Sequence, residues 1–403
     1  MRSARLVDVS AMEPLLPDRG SLAEPALALV REASALGGQL HPVTRATVAD
    51  LLRAINTYHS NLIEGHNTRP RDIERALEGR LSANPERRGL QIEARAHVEV
   101  QRLAESRIDS EPELSVTSTD FLRFLHREFY ERLSDEWRTI RTADGGHERT
   151  VTPGCLRDDE VEVGRHRPPP ASVMPQFMER FAEAYDPARL GGLEAIVAAA
   201  ASHHWLLWIH PFLDGNGRVA RLYTDAYLRR IGVGGHGLWT ASRGLARNRA
   251  RYLEALAAAD AERWNDYDGR GPRSQSALVA FCRFFVEVCL DQVGFMSSLL
   301  ELDGLLARVE EYVHRRAAGG LGSKLPVEAA LLLREALLRG EFPRGEAPRV
   351  TGVSERSARR VVSVLVREKL LVSSKPKGPL RLGLPTEAVG FYFPQLFPED
   401  TLR

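Results

Sequence analysis

The sequence predicts an all-α protein, and three observations carry that prediction. Apolar residues recur at helical spacing over residues 27–35, 47–63, 73–77, 92–105, 121–133, 174–185, 193–208, 218–231, 249–261 and 275–300. Turn and breaker clusters around residues 68–70, 110–112, 153–154 and 269–272 punctuate them. Residues 156–170 instead alternate apolar and polar side chains before Pro168-Pro169-Pro170, the pattern of a short hairpin strand. At 403 residues the chain has room for two to three domains and a sizeable core.

The helix over residues 47–63 draws much of its apolar face from Leu51, Leu52, Ile55, Leu62 and Ile63. It runs into Ser60-Asn61-Leu62-Ile63-Glu64-Gly65, where Ser60 and Glu64 stand four apart and point the same way near the helix end. An exposed Glu at a helix end is ordinary by itself.

The densest chemistry lies in His210-Pro211-Phe212-Leu213-Asp214-Gly215-Asn216-Gly217-Arg218-Val219-Ala220-Arg221. Gly215 and Gly217 lack a Cβ, so the backbone there is free to take positive φ and approach a ligand. Successive N–H groups in such a turn form an anion-binding nest, here at the start of a helix whose dipole also favours phosphate. Arg218 and Arg221 are three apart and share a helix face, with planar forks suited to phosphate oxygens. Asp214 is a hard oxygen ligand beside the nest, suited to Mg²⁺ that also binds substrate phosphates. His210 has an unperturbed pKa near neutral and suits a general base. A lone His, a GNG turn or an Arg pair is usually structural; the whole set at fixed spacing is not.

This segment resembles the signature of the Fic family, HPFx[D/E]GNGRxxR, at every fixed position. The resemblance implies transfer of AMP from ATP to a Ser, Thr or Tyr hydroxyl of a target protein. His210 would then be the general base and Asp214 the Mg²⁺ ligand. Gly215, Asn216 and Gly217 would cradle phosphates, and Arg218 and Arg221 would neutralise the leaving pyrophosphate. The Doc-type variant, which phosphorylates, departs from this glycine pattern, and this sequence does not. Ser60 to Gly65 is similar to the family's inhibitory motif [S/T]xxxE[G/N]; Glu64 would pair with Arg221 and occupy the place of the γ-phosphate. Residues 156–170, with Asp159, Glu160, Val161, Glu162 and Val163, resemble the flap that docks the target by strand addition, which reads main chain rather than sequence. Tyr252, Leu253 and Leu256 resemble the helix that closes the nucleoside end, although relatives often carry two tyrosines there; core packing explains the two leucines equally well.

From Pro326 the pattern turns to that of a winged helix-turn-helix. Residues 328–338 form an apolar-periodic helix and residues 350–353 a short connection. Ser354 is placed to cap the next helix. Ala358, Val361, Val362, Leu365 and Val366 would face inward, with Arg356, Arg359, Arg360 and Ser363 outward. Residues 375–379 would be the wing. From Arg344 to Arg381 ten Lys or Arg stand against three Glu, a net of +7. Such a face fits DNA phosphates in a major groove; docking of the module on the helical core or on another protein is the alternative. The implied division is an N-terminal region with the inhibitory helix (1–110), a catalytic core (111–300), a connecting helix and linker (301–325), and the winged helix with its tail (326–403).

Composition narrows the partners. A net charge of +1 gives no general attraction to nucleic acid or membrane, and no apolar run approaches the length of a membrane span. Residues 1–14 have no apolar core and include Asp8 and Glu13, unlike a signal peptide, so a cytoplasmic location is expected. Three cysteines make no disulfide framework; Cys282 and Cys289, two helical turns or about 10 Å apart, are too distant to bridge. His147, Cys155 and His166 show no metal-ligand spacing. A homodimer fits the regulated members of the family. Two functions stay open: an autoinhibited protein adenylyltransferase, which in some relatives also removes AMP, and a DNA-binding regulator whose Fic fold senses nucleotide.

Overall fold

In the computed structural model, residues 8–18, 20–141, 148–164 and 166–397 are described; His147, Arg165 of the flap, the first seven residues and the tail beyond 397 lie outside them. The N-terminal helices are α1 (Ala23–Gly37), α2 (Pro42–Ile63), α3 (Pro70–Leu77) and α4 (Pro85–Ser110). Next come α5 (Thr119–Tyr130), α6 (Asp135–Arg138), the antiparallel strands β1 (Thr139–Arg141) and β2 (Glu148–Thr150), and α7 (Met174–Ala184). The centre holds α8 (Gly192–Ile209), α9 (Asn216–Arg230), α10 (Ala241–Arg247), α11 (Arg249–Ala259), α12 (Gln275–Leu300) and α13 (Leu302–Ala317). The C-terminal elements are α14 (Ala329–Arg339), β3 (Glu341–Phe342), α15 (Ala347–Thr351), α16 (Glu355–Arg367), β4 (Leu371–Val372), β5 (Leu380–Leu382) and α17 (Thr386–Tyr392).

The all-α reading holds, and each of the ten expected helical stretches lies largely within an observed helix. α8 is the centre. It is apolar on every side, and nearly all of Ala195–Ile209 is buried, so neighbours must cover it all round. α9 and α12 do much of this, while α4 and α5 pack against α9. α2 starts with Pro42 at its first position, behind His41, whose Nδ1 accepts from Val43 N at 3.3 Å. It stops where Gly65 takes φ +89°, which leaves Glu64 on the last turn. Cys282 and Cys289 are buried free thiols within α12. No described helix is long and apolar enough to cross a membrane.

The C-terminal elements run helix, strand, two helices, two strands, with sheet order β3-β5-β4. Residues 350–353 are not simply a connection, because α15 continues to Thr351 and the turn begins at Gly352 with φ +70°. Ser354 Oγ accepts from Ser357 N and caps α16. Ala358, Val361, Val362 and Leu365 are buried, and Arg356, Arg359, Arg360 and Ser363 are exposed, as the periodicity predicts. α17 has no counterpart in the sequence reading; it is short, and it packs on α13 and α3.

One expectation fails. The described residues of 156–170 form no strand, and the ladder contact among them is an isolated bridge between Val163 and His166 with Gly164 at φ +61°. Alternation specifies a strand only when a neighbouring strand accepts its hydrogen bonds, and β1 and β2 pair with each other instead.

Candidate active site

The segment between α8 and α9 is held in shape by its own side chains. His210 caps α8 in the left-handed region (φ 51°), a conformation that non-glycine residues adopt at a cost and that the surroundings must enforce. Arg157 supplies part of that enforcement. Its Nε donates to the His210 carbonyl at 2.8 Å, and its Nη1 and Nη2 donate to the Asp159 and Pro169 carbonyls at 2.8 and 2.5 Å. Its backbone N–H donates to Pro211 O at 2.9 Å. The flap is thus tied to the His210 turn by one buried guanidinium rather than by a strand ladder.

Phe212 is buried and stacks on His126 with ring centroids 4.1 Å apart. Burial pushes the His126 pKa down to about 4, so the ring is neutral. Its Nδ1 accepts from Gly154 N at 2.8 Å, which places the proton on Nε2, directed at Asp214 O at 3.3 Å. Asn216 closes the loop, because its amide accepts from Phe212 N at 2.9 Å and donates to Phe212 O at 2.8 Å. Its side chain is therefore a clasp, and only its backbone is left to face a phosphate. Gly215 takes φ +79°, and a Cβ there would come within 2.7 Å of the Tyr130 ring and hydroxyl. Gly217 differs from the sequence reading. It is helical with ordinary φ, and a Cβ would meet Glu64 Oε1 at 2.4 Å, so this glycine makes room for a carboxylate.

That carboxylate comes from α2. Arg221, 3% exposed, donates Nη2 to Glu64 Oε1 at 2.5 Å and Nε to Ser60 Oγ at 2.9 Å. Burial alone would raise the Glu64 pKa; Arg221 and then Arg218 outweigh it and hold the carboxyl below its usual range. Arg218 is one turn back. Its Nη2 meets Glu93 Oε1 at 2.5 Å, and Glu93 also accepts from His66 Nδ1 at 2.8 Å. Burial opposes the charged guanidinium, but Glu93 more than offsets it and the Arg218 pKa is raised. The hydrogen bond to Glu93 likewise raises the pKa of His66.

His210, Gly217, Arg221 and Glu64 line one cavity of about 400 Å³. The same cavity is walled by Tyr252, Leu253 and Leu256 of α11 and reaches Asp260, which accepts from His204 at 2.9 Å. Tyr252 is buried with its hydroxyl 2.7 Å from His203 Nε2, while His203 Nδ1 faces Thr224 Oγ1 at 2.7 Å. Thr224 donates to Ala220 O at 2.8 Å and so accepts from His203, which leaves Nε2 to accept from Tyr252. Tyr252 therefore offers its ring, not its hydroxyl, and Leu253 at 42% exposure offers an open edge. Burial lowers the His210 pKa to about 4 rather than leaving it near neutral.

Asp214 and Arg218 line a second cavity of about 590 Å³, with His66, Glu93 and Tyr130. Asp214 Oδ2 accepts from Tyr130 at 2.6 Å, which fixes the carboxylate and leaves Oδ1 for a cation. Among the described residues no three His, Cys, Asp or Glu gather at metal-binding range. A single carboxylate fits Mg²⁺ brought with substrate phosphates, which keeps most of its shell on water and phosphate oxygen. The flap residues Glu160, Glu162 and Val163 are exposed, and Glu160 Oε1 accepts from Ala171 N at 3.1 Å.

The sequence reading missed Tyr130, His126, Glu93, His66 and Arg157. Each lies more than fifty residues from its partner in the loop, and only Arg157, within the flap, had any local signal.

Residues 116–228 match the model described as the Fic/DOC family. The Protein adenylyltransferase Fic of Drosophila grimshawi is 30% identical over 177 residues, 43% of this chain and 32% of that protein. The protein of the same description from Drosophila willistoni gives the same values. The chain thus spans about a third of the length of these curated relatives. A solved Fic domain containing signaling protein from Bacteroides thetaiotaomicron aligns with TM-score 0.51 at 21% identity, over 69% of this chain and 98% of that one. That likeness is one of fold.

Proposed function

We propose that the Fic domain at residues 116–228 makes this chain an autoinhibited protein adenylyltransferase, a nucleotidyltransferase that moves AMP from ATP to a Ser, Thr or Tyr hydroxyl of a target protein or of itself. The observation that carries this reading is the 2.5 Å contact of Glu64 with Arg221, across Gly217, in the cavity that also holds His210.

In the reaction the target oxygen attacks the α-phosphorus, the bond to the β-phosphate oxygen breaks, and pyrophosphate leaves. His210 takes the hydroxyl proton. It is neutral at physiological pH, and the incoming polyphosphate charge raises its basicity toward the range a general base needs. The backbone of Gly215, Asn216 and Gly217 at the α9 N-terminus cradles phosphate, and Arg218 and Arg221 meet the charge that grows on the leaving group. Mg²⁺ on Asp214 supplies further charge neutralisation when bound. Tyr252, Leu253 and Leu256 border the nucleoside, and the segment of Asp159, Glu160, Val161, Glu162 and Val163 is the edge along which a target segment docks.

Glu64 restrains this chemistry by occupying the Arg221 guanidinium that a γ-phosphate needs, while Ser60 fixes the same guanidinium from its Nε side. Glu64 lines the same cavity as His210 and also suits a separate hydrolytic step, in which a water held by the carboxylate attacks the phosphorus of a modified side chain, the phosphorus–oxygen bond to that side chain breaks, its hydroxyl is re-formed and AMP leaves. A second reading, a DNA-binding regulator with a nucleotide-sensing core, is favoured by the exposed Arg356, Arg359 and Arg360 of α16. Label transfer from α-labelled ATP that needs His210 decides for the enzyme. Salt-dependent binding of a DNA site without any transfer decides for the regulator.

A further inference from the structure

The C-terminal elements pack directly on the helix that carries Glu64. Near the start of α2, Thr44 donates its hydroxyl to Leu337 O of α14 at 3.0 Å, and a Cβ on Gly340 would come within 2.1 Å of the His41 ring. Near its end, the Phe397 ring meets Tyr58 at 5.6 Å, and His59 Nε2 lies 3.4 Å from Leu396 O. Gln395 O accepts from Arg243 of α10 at 2.7 Å. Tyr58 and His59 immediately precede Ser60, and Glu64 follows one turn later. α2 is therefore gripped at both ends by the C-terminal module, and the grip ends beside the Arg221 contact.

The module makes this contact without its most basic surface. α14, β5 and α17 meet the rest of the chain, whereas α16 packs on α14, α15 and β4. Arg356, Arg359 and Arg360, with Lys375 and Lys377 of the loop between β4 and β5, stay exposed. The seam is also ionic. Lys369, just after α16, pairs with Glu78; Thr386 donates to Glu74; Arg71 and Glu387 lie 3.8 Å apart. It opens on a groove of about 320 Å³ rimmed by Arg75, Arg80, Arg367 and Lys369.

We propose that duplex DNA bound to the basic face of α16 and the β4–β5 loop releases Glu64 from Arg221 through this seam; the proposal rests on the reading of Glu64 as inhibitory. Phosphates along α16 compete with Glu78 for Lys369 and repel Glu74 and Glu387. The seam weakens, the grip on α2 loosens, and the last turn of α2 is freed. Linkage makes the coupling reciprocal, so freeing Glu64 tightens DNA binding by the same factor.

The test uses the full chain and a mixed-sequence duplex of about three helical turns. Binding is read by anisotropy, the α2 end by amide hydrogen exchange over residues 58–64, and activity by α-label transfer. The duplex should bind with an affinity that falls at least about 10³-fold from 50 to 200 mM salt. Arg359→Glu with Arg360→Glu, both on the surface, should abolish binding. Saturating duplex should speed exchange over 58–64 several-fold and raise label transfer, and Glu64→Gly should bind the duplex more tightly. Phe397→Ala, with Thr44→Val as the milder variant, should keep binding and lose the exchange response. The proposal is overturned if binding ignores the α16 charge reversal, or if saturating duplex leaves exchange over 58–64 unchanged. Absence of label transfer in Glu64→Gly alone would instead sink the inhibitory reading, whatever the duplex does.

Discussion

Arg218 and Arg221 sit one turn apart on α9, and each meets a carboxylate at 2.5 Å. The partners differ. Glu93 lies in the middle of the long helix α4, its side chain 1% exposed, and also accepts from His66. Glu64 lies at the end of α2, its side chain 31% exposed, with Gly65 behind it at φ +89°. Equal distances therefore hide unequal roles. A buried, doubly bonded carboxylate has nowhere to go, so Glu93 fixes the position of Arg218. A half-open carboxylate on a fraying helix end can yield to a phosphate, so Glu64 is a latch on Arg221.

The largest expected effect separates the chemistry from both ion pairs. In a Glu64→Gly background, His210→Ala should cut α-label transfer by about 10²–10⁴-fold, with Tm unchanged. Comparable transfer in the two would remove the general base from the account. Next comes the contrast between the carboxylates. Glu93→Gln leaves a buried guanidinium without its counter-charge and should cost about 3 kcal/mol of stability. Glu64→Gln should cost less, about 1 kcal/mol, because the Glu64 carboxylate is 31% exposed and water can replace it on Arg221, while transfer rises. Similar stability losses in chemical denaturation would mean that the two pairs are equivalent and the latch reading is wrong.

Acidity sharpens the same contrast. Glu64 is held below its ordinary pKa, so its contribution is present above that ordinary value and is lost only as pH falls through the lowered one. His66 is raised, so its contribution is complete below pH 6.5 and is lost as pH rises through the raised value. Warming scans from pH 6 to pH 9 should therefore show the stability advantage of wild type over His66→Gln shrinking, with the Glu64 latch unaffected. Below pH 6.5 the whole fold should weaken, because His59, His97 and His203 are buried neutral, with pKa values near 3, and the unfolded chain takes up their protons first. A pH-independent His66 advantage would count against the Glu93 assignment.

The smaller effects lie at the edges of the site. Arg157→Ala removes the tether between the flap and the His210 carbonyl. It should raise the KM for a protein target several-fold more than that for ATP, measured by steady-state transfer once a target is in hand. Tyr252→Phe breaks a buried bond to His203 and should cost about 1 kcal/mol of stability with ATP affinity nearly unchanged. A large loss of ATP affinity would put the hydroxyl on the ligand after all.

The parts legible in the sequence were those with local logic. Gly215, Asp214, Arg218 and Arg221 lie within two turns of one another, and the Ser60–Glu64 spacing is that of one helix face. Helices α2, α9 and α12 announced themselves by periodicity, and α8 by its long apolar run. What escaped was tertiary. Glu93 looks like any charge on α4 until Arg218 arrives from a helix more than a hundred residues away, and Tyr130 gives no local sign that its hydroxyl fixes Asp214. The alternation of residues 156–170 was real but had no partner strand. Asn216 and Gly217 were found as a phosphate cradle, and the fold gives each a further part that the sequence did not show: a clasp on Phe212 and a gap for Glu64.

The most direct test is label transfer from α- and γ-labelled ATP with Mg²⁺, read by autolabelling in wild type, Glu64→Gly and Glu64→Gly/His210→Ala. The account predicts weak α-label in wild type, strong α-label in Glu64→Gly and none in the double variant, with no γ-label in any. Transfer of γ-label alone, or α-label that is equal in wild type and Glu64→Gly, would contradict it.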